Sequence, residues 1–399
     1  MNNKIKLFSL VLLGFCLVTP SYARNAASIK SIKTSAVSVH PTPQPPHPPT
    51  PPTPPTPPQP PTPPNPPHPP TPPVPPHPHH PHHPQHPPRP PRPHLPPPVH
   101  VISWGTTVYI STGGTNTANL WAYDLYPQQK RLTGKGVKIA IADSGISSHT
   151  EFNGKDIQGA DFTHSANIQD SKNHGTAIAG IIGARGAAFT GVAPDAELIV
   201  YKVDNGSRLI SSQAVTAAIN NVIDYNETHP NDKILILNLS YGISGGGDTA
   251  LTQAINRAYE AGILIVCPAG NTGFPGVYYP ANLSTTIAVG SMADDGASVS
   301  GNSSYGKEVD FIAPGENIYT TDRNGHYSII NGTSASTAFV SASAALVVEG
   351  FQKKYGRYPT VDEIKGYLIK ASVELPNVPR EKQGYGFIDV ERLEKEFLY

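Results

Sequence analysis

Proline is concentrated in one stretch of this chain, and that stretch limits what can fold. Of the 46 prolines among 399 residues, 35 lie between Pro41 and Pro98. Proline has no backbone amide hydrogen, so such a segment cannot supply the hydrogen bonds of a helix or an inner strand. We therefore predict a disordered linker over residues 24–98, first basic and then Pro/His-rich, and one large globular domain over residues 99–399.

The linker repeats Pro-Pro-Thr and Pro-His units, which favour an extended polyproline II conformation and a semi-rigid spacer. Its histidines could bind zinc or copper weakly, or they could be tolerated in a solvated spacer. We favour the spacer, because a stiff chain does not easily wrap several imidazoles around one ion. The histidines in question are His77, His79, His80, His82, His83 and His86.

The first 23 residues have the features of a secretory signal peptide. Two lysines precede a 12-residue apolar run, residues 7–18, which is shorter than a membrane span. Small residues near position 23 place cleavage after Ala23, so we predict a secreted protein, extracellular or periplasmic, with no membrane span elsewhere. A lipoprotein signal that uses Cys16 is the alternative, but the bulky Phe15 lies where such a signal requires a small residue.

Charge and cysteine content narrow the function further. Seven of the 29 basic residues precede the first acidic residue, Asp124, so the remaining 22 are outnumbered by the 29 acidic residues. Such a domain lacks the excess of lysine and arginine that phosphate contacts require, so we expect no nucleic-acid partner. Signal cleavage would leave Cys267 as the single cysteine, which excludes an internal disulfide. Cys267 follows an apolar run, which predicts a buried, inert thiol.

Apolar strands alternate with helical patterns from residue 137 onward. We predict strands at 137–142, 197–203, 234–239, 263–267 and 286–290, and helices at 174–183, 212–225, 249–261 and 333–351. This alternation favours an α/β domain of three layers, with a mostly parallel sheet covered by helices on both faces. Ligands bind beyond the carboxyl ends of the strands in that architecture. Asp143 and Asn271 each follow a predicted strand.

Three short motifs carry side chains suited to nucleophilic catalysis. Asp143 lies in Asp-Ser-Gly at a strand end, His174 in Asn-His-Gly-Thr at a helix start, and Ser334 in Asn-Gly-Thr-Ser at another helix start. Each motif alone is ordinary, since Asp-Ser-Gly occurs in turns and Thr-Ser can cap a helix. Their order along the chain is informative, because Asp, His and then Ser is the order of the subtilisin triad.

Residues from about 101 to 390 resemble the subtilisin-like serine protease (subtilase) family. The matching segments are Ile-Ala-Asp-Ser-Gly-Ile at 141–146, His-Gly-Thr-Ala-Ile-Ala-Gly at 174–180, Gly-Val-Ala-Pro at 191–194, Asn-Leu-Ser-Tyr-Gly at 238–242, Pro-Ala-Gly-Asn at 268–271, Tyr-Pro-Ala at 279–281, Val-Asp-Phe-Ile-Ala-Pro-Gly at 309–315 and Gly-Thr-Ser at 332–334. The resemblance implies a subtilisin-like fold and a serine endopeptidase that forms an acyl-enzyme intermediate. Ser334 would be the nucleophile, His174 its base and Asp143 the residue that orients the imidazole.

The same resemblance implies roles in substrate binding. Asn271 would donate its side-chain amide to the oxyanion, and the backbone N–H of Ser334 at its helix N-terminus would be the second donor. A protein or peptide substrate would pair as an added strand. The residue before the scissile bond would be flanked by Ser240, Tyr241, Gly242, Ala269 and Gly270, although the glycine at 242 could instead serve a turn alone.

The chain departs from the family pattern in three places. The family usually reads Met-Ala-(Ala/Ser)-Pro after the nucleophile, whereas residues 335–338 read Ala-Ser-Thr-Ala. Ala177 replaces a second histidine that is outside the triad. Residues 24–98 cannot form the compact prodomain of secreted members, so we expect the domain to fold without one.

No cofactor is expected for the chemistry, no metal site is assigned, and a monomer is expected. The missing disulfides and the resemblance leave calcium as a structural ion, but Asp294 and Asp295 fit solvated turn residues better than ligands. Two alternatives remain open. One is a catalytically dead domain used for binding. The other is a Pro-rich tract that is itself the functional part, as a ligand for aromatic-lined grooves or as a cell-wall spacer, with the protease trimming it. The presence of the whole triad and Asn271 favours the active peptidase.

Overall fold

The computed structural model describes residues 121–124, 131–186, 188–206 and 210–398. The predicted signal peptide and Pro/His-rich linker lie outside the described residues.

The helices are α1 (Trp121–Asp124), α2 (Gly175–Gly183), α3 (Ser212–Thr228), α4 (Thr249–Glu260), α5 (Thr333–Tyr355), α6 (Val361–Ala371), α7 (Arg380–Gln383) and α8 (Val390–Leu398), with a short 3-10 turn at Thr150–Phe152. The strands are β1 (Lys138–Asp143), β2 (Gln158–Asp161), β3 (Glu197–Lys202), β4 (Ile234–Leu239), β5 (Leu264–Pro268), β6 (Thr286–Met292), β7 (Phe311–Pro314), β8 (Ile318–Thr321), β9 (Tyr327–Ile330), β10 (Ser372–Val373) and β11 (Phe387–Ile388).

Nine of the described strands form one sheet in the order β10-β11-β7-β6-β5-β4-β1-β3-β2. Every neighbouring pair is parallel except β10 and β11. β8 and β9 form a separate antiparallel hairpin. The mostly parallel sheet predicted from the sequence is therefore confirmed.

Successive side chains of β1 point into two apolar cores on opposite faces of the sheet. Ile139 and Ile141 pack in a core with α2, α5, α6 and α8, whereas Ala140 and Ala142 pack in a second core with α3 and α4. Burial of one isoleucine side chain contributes about 1.5–3 kcal/mol, so both faces need a helical cover. The predicted three-layer α/β arrangement is confirmed.

Helix α5 is the central element of the first core. Every residue from 335 to 351 is buried, and many of them are alanine or serine, which lets the helix lie close to the sheet. Among the described residues, α5 is the one helix long and apolar enough to cross a bilayer, but 94% of its apolar window is buried within the domain. Its buried Glu349 accepts hydrogen bonds from the backbone of Thr133 and Gly134, both 2.7 Å, which ties the start of the domain to this helix.

The predicted strands and helices are present, with ends that shift by no more than four residues. The prediction for Cys267 is also confirmed, since this residue of β5 is fully buried and burial raises the pKa of its thiol. The sequence did not predict β2, the strands β7 to β11, or the helices α6 to α8. These strands are two to four residues long, too short for an apolar pattern to stand out.

Candidate active site

The order of the strands changes direction between β1 and β4. β3 and β2 continue on one side, and β5, β6 and β7 continue on the other. A parallel sheet opens a crevice at such a switch point, beyond the carboxyl ends of its strands. Asp143 is the last residue of β1, Ser240 follows β4, and Asn271 lies three residues beyond β5. These three residues therefore lie at or just beyond the carboxyl ends of β1, β4 and β5.

Asp143 is held in a fixed orientation at the end of β1. Its side chain is only 3% exposed. The backbone N–H of Ser144 donates to Oδ1 at 2.7 Å, and the carbonyl of Asp143 accepts from Val203 of the neighbouring segment at 2.8 Å. The carboxylate thus has one backbone donor and faces the ring of His174.

His174 precedes the first residue of α2 and points its ring at Asp143. Nδ1 of His174 lies 2.8 Å from Oδ1 and 2.9 Å from Oδ2 of Asp143. Because an ionised carboxylate only accepts, Nδ1 carries the hydrogen, and Nε2 of the neutral ring is an acceptor. Partial burial disfavours the imidazolium, but the carboxylate of Asp143, followed by those of Asp170 and Asp204, outweighs this effect and raises the pKa of His174.

The loop ahead of His174 is organised by Asp170, which the sequence reasoning missed. Its Oδ1 accepts from the hydroxyl of Ser144 at 2.7 Å and from the backbone N–H of Lys172 and Asn173, both 2.9 Å. Its Oδ2 accepts from the backbone and the hydroxyl of Thr176, at 2.8 and 2.6 Å. Asp170 lies five residues before α2 begins, outside the N-cap position that His174 occupies, so the capping pattern of the sequence does not single it out.

Ser334 is the second residue of α5, and its backbone N–H is unpaired. The N–H of Thr333 donates to Oδ1 of Asn271 at 2.8 Å, and the N–H of Ala335 donates to the carbonyl of Gly332 at 3.1 Å. Among the described residues, the N–H of Ser334 has no acceptor. A free N–H in the first turn of a helix, where the helix dipole is positive, can bind a negative charge.

Asn271 is fixed in the orientation that the predicted role requires. Its Oδ1 also accepts from the hydroxyl of Thr333 at 2.9 Å, and the N–H of Gly270 donates to that hydroxyl at 3.3 Å. Oδ1 of Asn271 is therefore occupied by hydrogen bonds to the first residue of α5. Within the part of the chain that the structure describes, the amide nitrogen Nδ2 has no acceptor and remains free to donate.

The β8–β9 hairpin links the starts of α2 and α5. The hydroxyl of Thr321 donates to the carbonyl of Thr176 at 2.7 Å, and the N–H of Arg323 donates to Oδ1 of Asn173 at 2.6 Å. β9 ends three residues before α5 begins. Among the described residues, no hydrogen bond joins Ser334 to His174. Such catalytic bonds often tighten only when a substrate binds.

The predicted substrate-binding residues fall into two groups. Ser240 and Tyr241 line a cavity of 370 Å³ together with Asp143 and His174, so they lie beside the Asp–His pair. Gly242 and the Ala269–Gly270 segment do not line this cavity. The two glycines lie instead beside Tyr278, whose side chain fills the space that a Cβ atom on either of them would enter, and Ala269 accepts the N–H of Tyr278 at 2.9 Å.

No group of three or more His, Cys, Asp or Glu side chains among the described residues is arranged to hold a metal ion. Asp294 and Asp295 are exposed, and Asp295 accepts from the backbone of Ala297 and Ser298 in its own turn, as expected for turn residues. Oε2 of Glu151 is a buried carboxylate oxygen without a hydrogen-bond partner. A single carboxylate oxygen does not make a calcium site, which needs about six to eight oxygens.

The fold and the site define a parallel α/β domain with an Asp–His pair and a helix-terminal serine at one edge of its sheet. The model of the subtilase family matches residues 134–387. The chain therefore belongs to the subtilase family, and the resemblance stated from the sequence is confirmed.

Relatives of known name agree with this assignment. The chain is 34% identical to minor extracellular protease Epr of Bacillus subtilis over 300 residues, which is 71% of this chain and 43% of that protein. It is 39% identical to a thermostable alkaline protease of Halalkalibacterium halodurans over 54% of this chain and 58% of the relative. It is 37% identical to subtilisin Savinase of Lederbergia lenta over 54% of this chain and 77% of the relative. The chain thus spans less than two thirds of the first two relatives.

Solved structures share the fold. The protease domain of PatA, in a serine-to-alanine mutant, superimposes with a TM-score of 0.60 and 25% identity, over 67% of this chain and 98% of that chain. A lanthipeptide protease superimposes with a TM-score of 0.59 and 24% identity, over 67% of this chain and 90% of that chain. These matches support the subtilisin-like α/β architecture.

Proposed function

We propose that this protein is a serine endopeptidase that hydrolyses peptide bonds through Asp143, His174 and Ser334. The observation that carries this proposal is the Asp143–His174 contact of 2.8 Å, which leaves Nε2 of His174 as a free base. The serine required by that base lies at the N-terminus of α5, beside the same edge of the sheet. Family membership supports the assignment of the three roles.

In the first half of the reaction, Nε2 of His174 accepts the proton of Ser334 Oγ while Oγ attacks the carbonyl carbon of the substrate. The carbonyl π electrons move to its oxygen and form a tetrahedral oxyanion. Asp143 stabilises the imidazolium without taking its proton. The imidazolium then gives the proton to the leaving amine, the C–N bond breaks, and the acyl group stays on Ser334.

The oxyanion would be stabilised by the two free donors described above, the N–H of Ser334 and Nδ2 of Asn271. Donors that are already oriented need no reorganisation when the charge develops. In the second half of the reaction, His174 removes a proton from water, which attacks the acyl carbon. Collapse of that intermediate releases the carboxylate product and returns the proton to Ser334.

The proposal is tested with the full chain and an unfolded protein substrate such as casein. Ser334→Ala removes the nucleophile and should abolish cleavage while the thermal unfolding midpoint stays close to that of the wild type. Ser328→Ala is the matched control, because the hydroxyl of Ser328 has no hydrogen-bond partner among the residues that the structure describes. A serine-directed fluorophosphonate should label the wild type at Ser334, as located by mass spectrometry.

Cleavage by the wild type and by Ser328→Ala but not by Ser334→Ala would support the triad. Equal cleavage by all three would reject Ser334 as the nucleophile. A folded wild type that neither cleaves nor takes up the label would overturn the endopeptidase proposal and favour the catalytically dead binding domain.

We also propose that the protein is secreted after cleavage following Ala23. The extracellular location named in one relative, protease Epr, supports this proposal. Mass spectrometry of protein recovered from the culture medium should find an N-terminus at residue 24 or further along the chain. Retention of residues 1–23 in exported protein, or attachment of lipid to Cys16, would contradict it.

We propose calcium only as a structural ion, with no part in the chemistry. Cys267, the one cysteine among the described residues, forms no disulfide, and this lack of a covalent cross-link supports the proposal. Thermal unfolding with calcium and with a chelator should then differ. Identical unfolding midpoints with calcium and with the chelator would refute a structural calcium ion.

A further inference from the structure

The aromatic ring of Tyr278 lies between the two glycines that the family resemblance assigns to substrate binding. A Cβ atom built on Gly270 would lie 2.6 Å from Cδ1 of Tyr278 and 2.8 Å from its Cγ. A Cβ atom built on Gly242 would lie 3.4 Å from Cδ2 of the same ring. The face of the ring therefore packs on Gly270, its Cβ–Cδ2 edge lies beside Gly242, and the ring occupies the space between the two glycines.

The backbone on which the ring of Tyr278 is mounted is held on both sides. The N–H of Tyr278 donates to the carbonyl of Ala269 at 2.9 Å, on one side of the space. Tyr279, its neighbour, exchanges two backbone hydrogen bonds with Ile243 on the other side, at 2.9 and 3.1 Å. The backbone that carries the ring is thus hydrogen-bonded to both segments, which fixes the point from which the ring projects.

The ring is only half-buried, and it is not fixed by a polar anchor. Among the described residues, the hydroxyl of Tyr278 has no hydrogen-bond partner. By contrast, the hydroxyl of Tyr279 lies 2.9 Å from the hydroxyl of Thr252 and donates to the carbonyl of Asp248 at 3.0 Å. The hydroxyl of Tyr279 therefore contributes hydrogen bonds to the fold, whereas the hydroxyl of Tyr278 contributes none within the described part of the chain.

We propose that Tyr278 determines substrate specificity by filling the pocket for the residue before the scissile bond, so that the enzyme accepts glycine, alanine or serine there and rejects large side chains. This inference rests on the proposed function, because it assumes that Ser240–Gly242 and Ala269–Gly270 flank that residue. A glycine on each wall would normally leave room for a broad side chain. Here the enzyme's own ring takes that room.

The size of the effect follows from the size of the obstruction. One methylene too many in a tight pocket already costs about 10- to 200-fold in kcat/KM. A phenylalanine side chain exceeds alanine by a whole ring, so the wild type should prefer an alanyl substrate over a phenylalanyl one by at least about 10-fold. With the ring removed, burial of the larger apolar side chain becomes favourable and the preference should reverse.

The test uses the full chain and two peptide p-nitroanilides that differ only in the last residue, alanine or phenylalanine. The variants are Tyr278→Ala, which removes the ring, and Tyr278→Phe, which keeps the ring and loses the hydroxyl. Phe274→Ala is the matched control, since it removes an aromatic side chain that is 70% exposed from the same loop. As a second measurement, wild-type cleavage sites in a reduced, alkylated protein are mapped by mass spectrometry.

Alanine preference in the wild type, Tyr278→Phe and Phe274→Ala, with reversal in Tyr278→Ala, supports the proposal. If Tyr278→Ala does not fold, the mapped sites decide: cuts after glycine, alanine and serine support it. Frequent wild-type cuts after phenylalanine, leucine or tyrosine overturn it and leave the endopeptidase assignment intact. No cleavage of any substrate by folded wild type overturns the proposed function, and this inference falls with it.

Discussion

Replacing Asp170 by asparagine should destabilise the domain and slow catalysis, because one buried carboxylate organises the loop ahead of His174. Asp170 is 7% exposed. It accepts five hydrogen bonds, three at Oδ1 and two at Oδ2. Asparagine keeps one oxygen but places an NH2 group where the other oxygen accepts from Thr176. The backbone N–H of Thr176 then has no acceptor in a buried position.

The magnitude follows from those bonds. A hydrogen bond to a charged acceptor is worth about 1.5–3 kcal/mol, and a buried N–H left without a partner costs about 1–3 kcal/mol. We expect Asp170→Asn to lower the free energy of unfolding by about 2–5 kcal/mol. For a domain of this size each kcal/mol lowers the unfolding midpoint by about 2–4 °C, so a fall of roughly 4–20 °C is expected.

The catalytic loss arises from movement of His174, which follows the residues that Asp170 holds. A displacement near 1 Å can cost about 100-fold in rate, so kcat should fall by roughly 10- to 100-fold with little change in KM. Circular dichroism gives the midpoint, and steady-state kinetics on the alanyl p-nitroanilide give the rate. Asp295→Asn is the matched control, because Asp295 also accepts two backbone N–H groups and a serine hydroxyl, but in an exposed turn.

The pH dependence of stability is a further check on Asp170. Burial would raise the pKa of its carboxyl, but the hydrogen bonds from Thr176 and Ser144 outweigh burial and lower it. A lowered pKa gives stability that is present above the unfolded pKa, about 3.9, and lost as the pH falls through the folded value. The gap in midpoint between wild type and Asp170→Asn should therefore narrow below about pH 4. Equal midpoints and equal kcat at neutral pH, or losses no larger than those of Asp295→Asn, would refute the reasoning.

Two further predictions follow from the geometry of the site. First, kcat/KM should fall at low pH with a midpoint above the ordinary histidine value of about 6.5, because His174 must be neutral to act as the base and its pKa is raised. Asp143→Asn should move this midpoint to lower pH and reduce kcat by about 10⁴, as a pH–rate series would show. Gly332→Ala should lower both the unfolding midpoint and kcat, since Gly332 has φ +124° and an added Cβ would lie 3.1 Å from Oδ1 of Asn271. An acid limb below pH 6 in the wild type, or an unchanged Gly332→Ala enzyme, would contradict them.

The layers of the fold could be predicted from the sequence because its inner strands are buried on both faces. β4 is buried at all six positions and reads Ile-Leu-Ile-Leu-Asn-Leu, a pattern that needs no tertiary information to identify. β11 pairs with β7 through a single register position, Phe387 with Ile312. β11 forms because the tertiary fold brings Phe387–Ile388 alongside β7 and β10, and two residues are too few for a strand pattern to be recognised in the sequence.

The same distinction applies to the site. Asp143, His174 and Ser334 lie in short motifs with local signals, a strand end and two helix starts. Tyr278 has no local signal, because its role depends on contact with Gly242, which lies 36 residues earlier in the chain. Contacts of this kind arise when loops that are distant in the sequence pack together beyond the strand ends, so no periodic pattern or short motif in a single sequence predicts them.

Asn271 shows how two requirements can be separated experimentally. The N-cap of α5 lies within the Gly-Thr-Ser motif, as predicted, but it is Gly332, which has no side chain to make a cap bond. Oδ1 of Asn271 accepts from the N–H of Thr333 instead, at 2.8 Å, so the same amide caps α5 with its oxygen and keeps its nitrogen for the substrate.

Asn271→Asp should retain the cap and the unfolding midpoint, yet replace the donor with a negative oxygen. It should lower kcat by at least about 10²–10³, the loss seen when such a donor is removed from subtilisin itself. Asn271→Ala should lose both, with an additional fall in stability of about 1 kcal/mol. If the two variants were equally unstable, the oxygen would not cap α5; if Asn271→Asp kept full kcat, the nitrogen would not be the oxyanion donor.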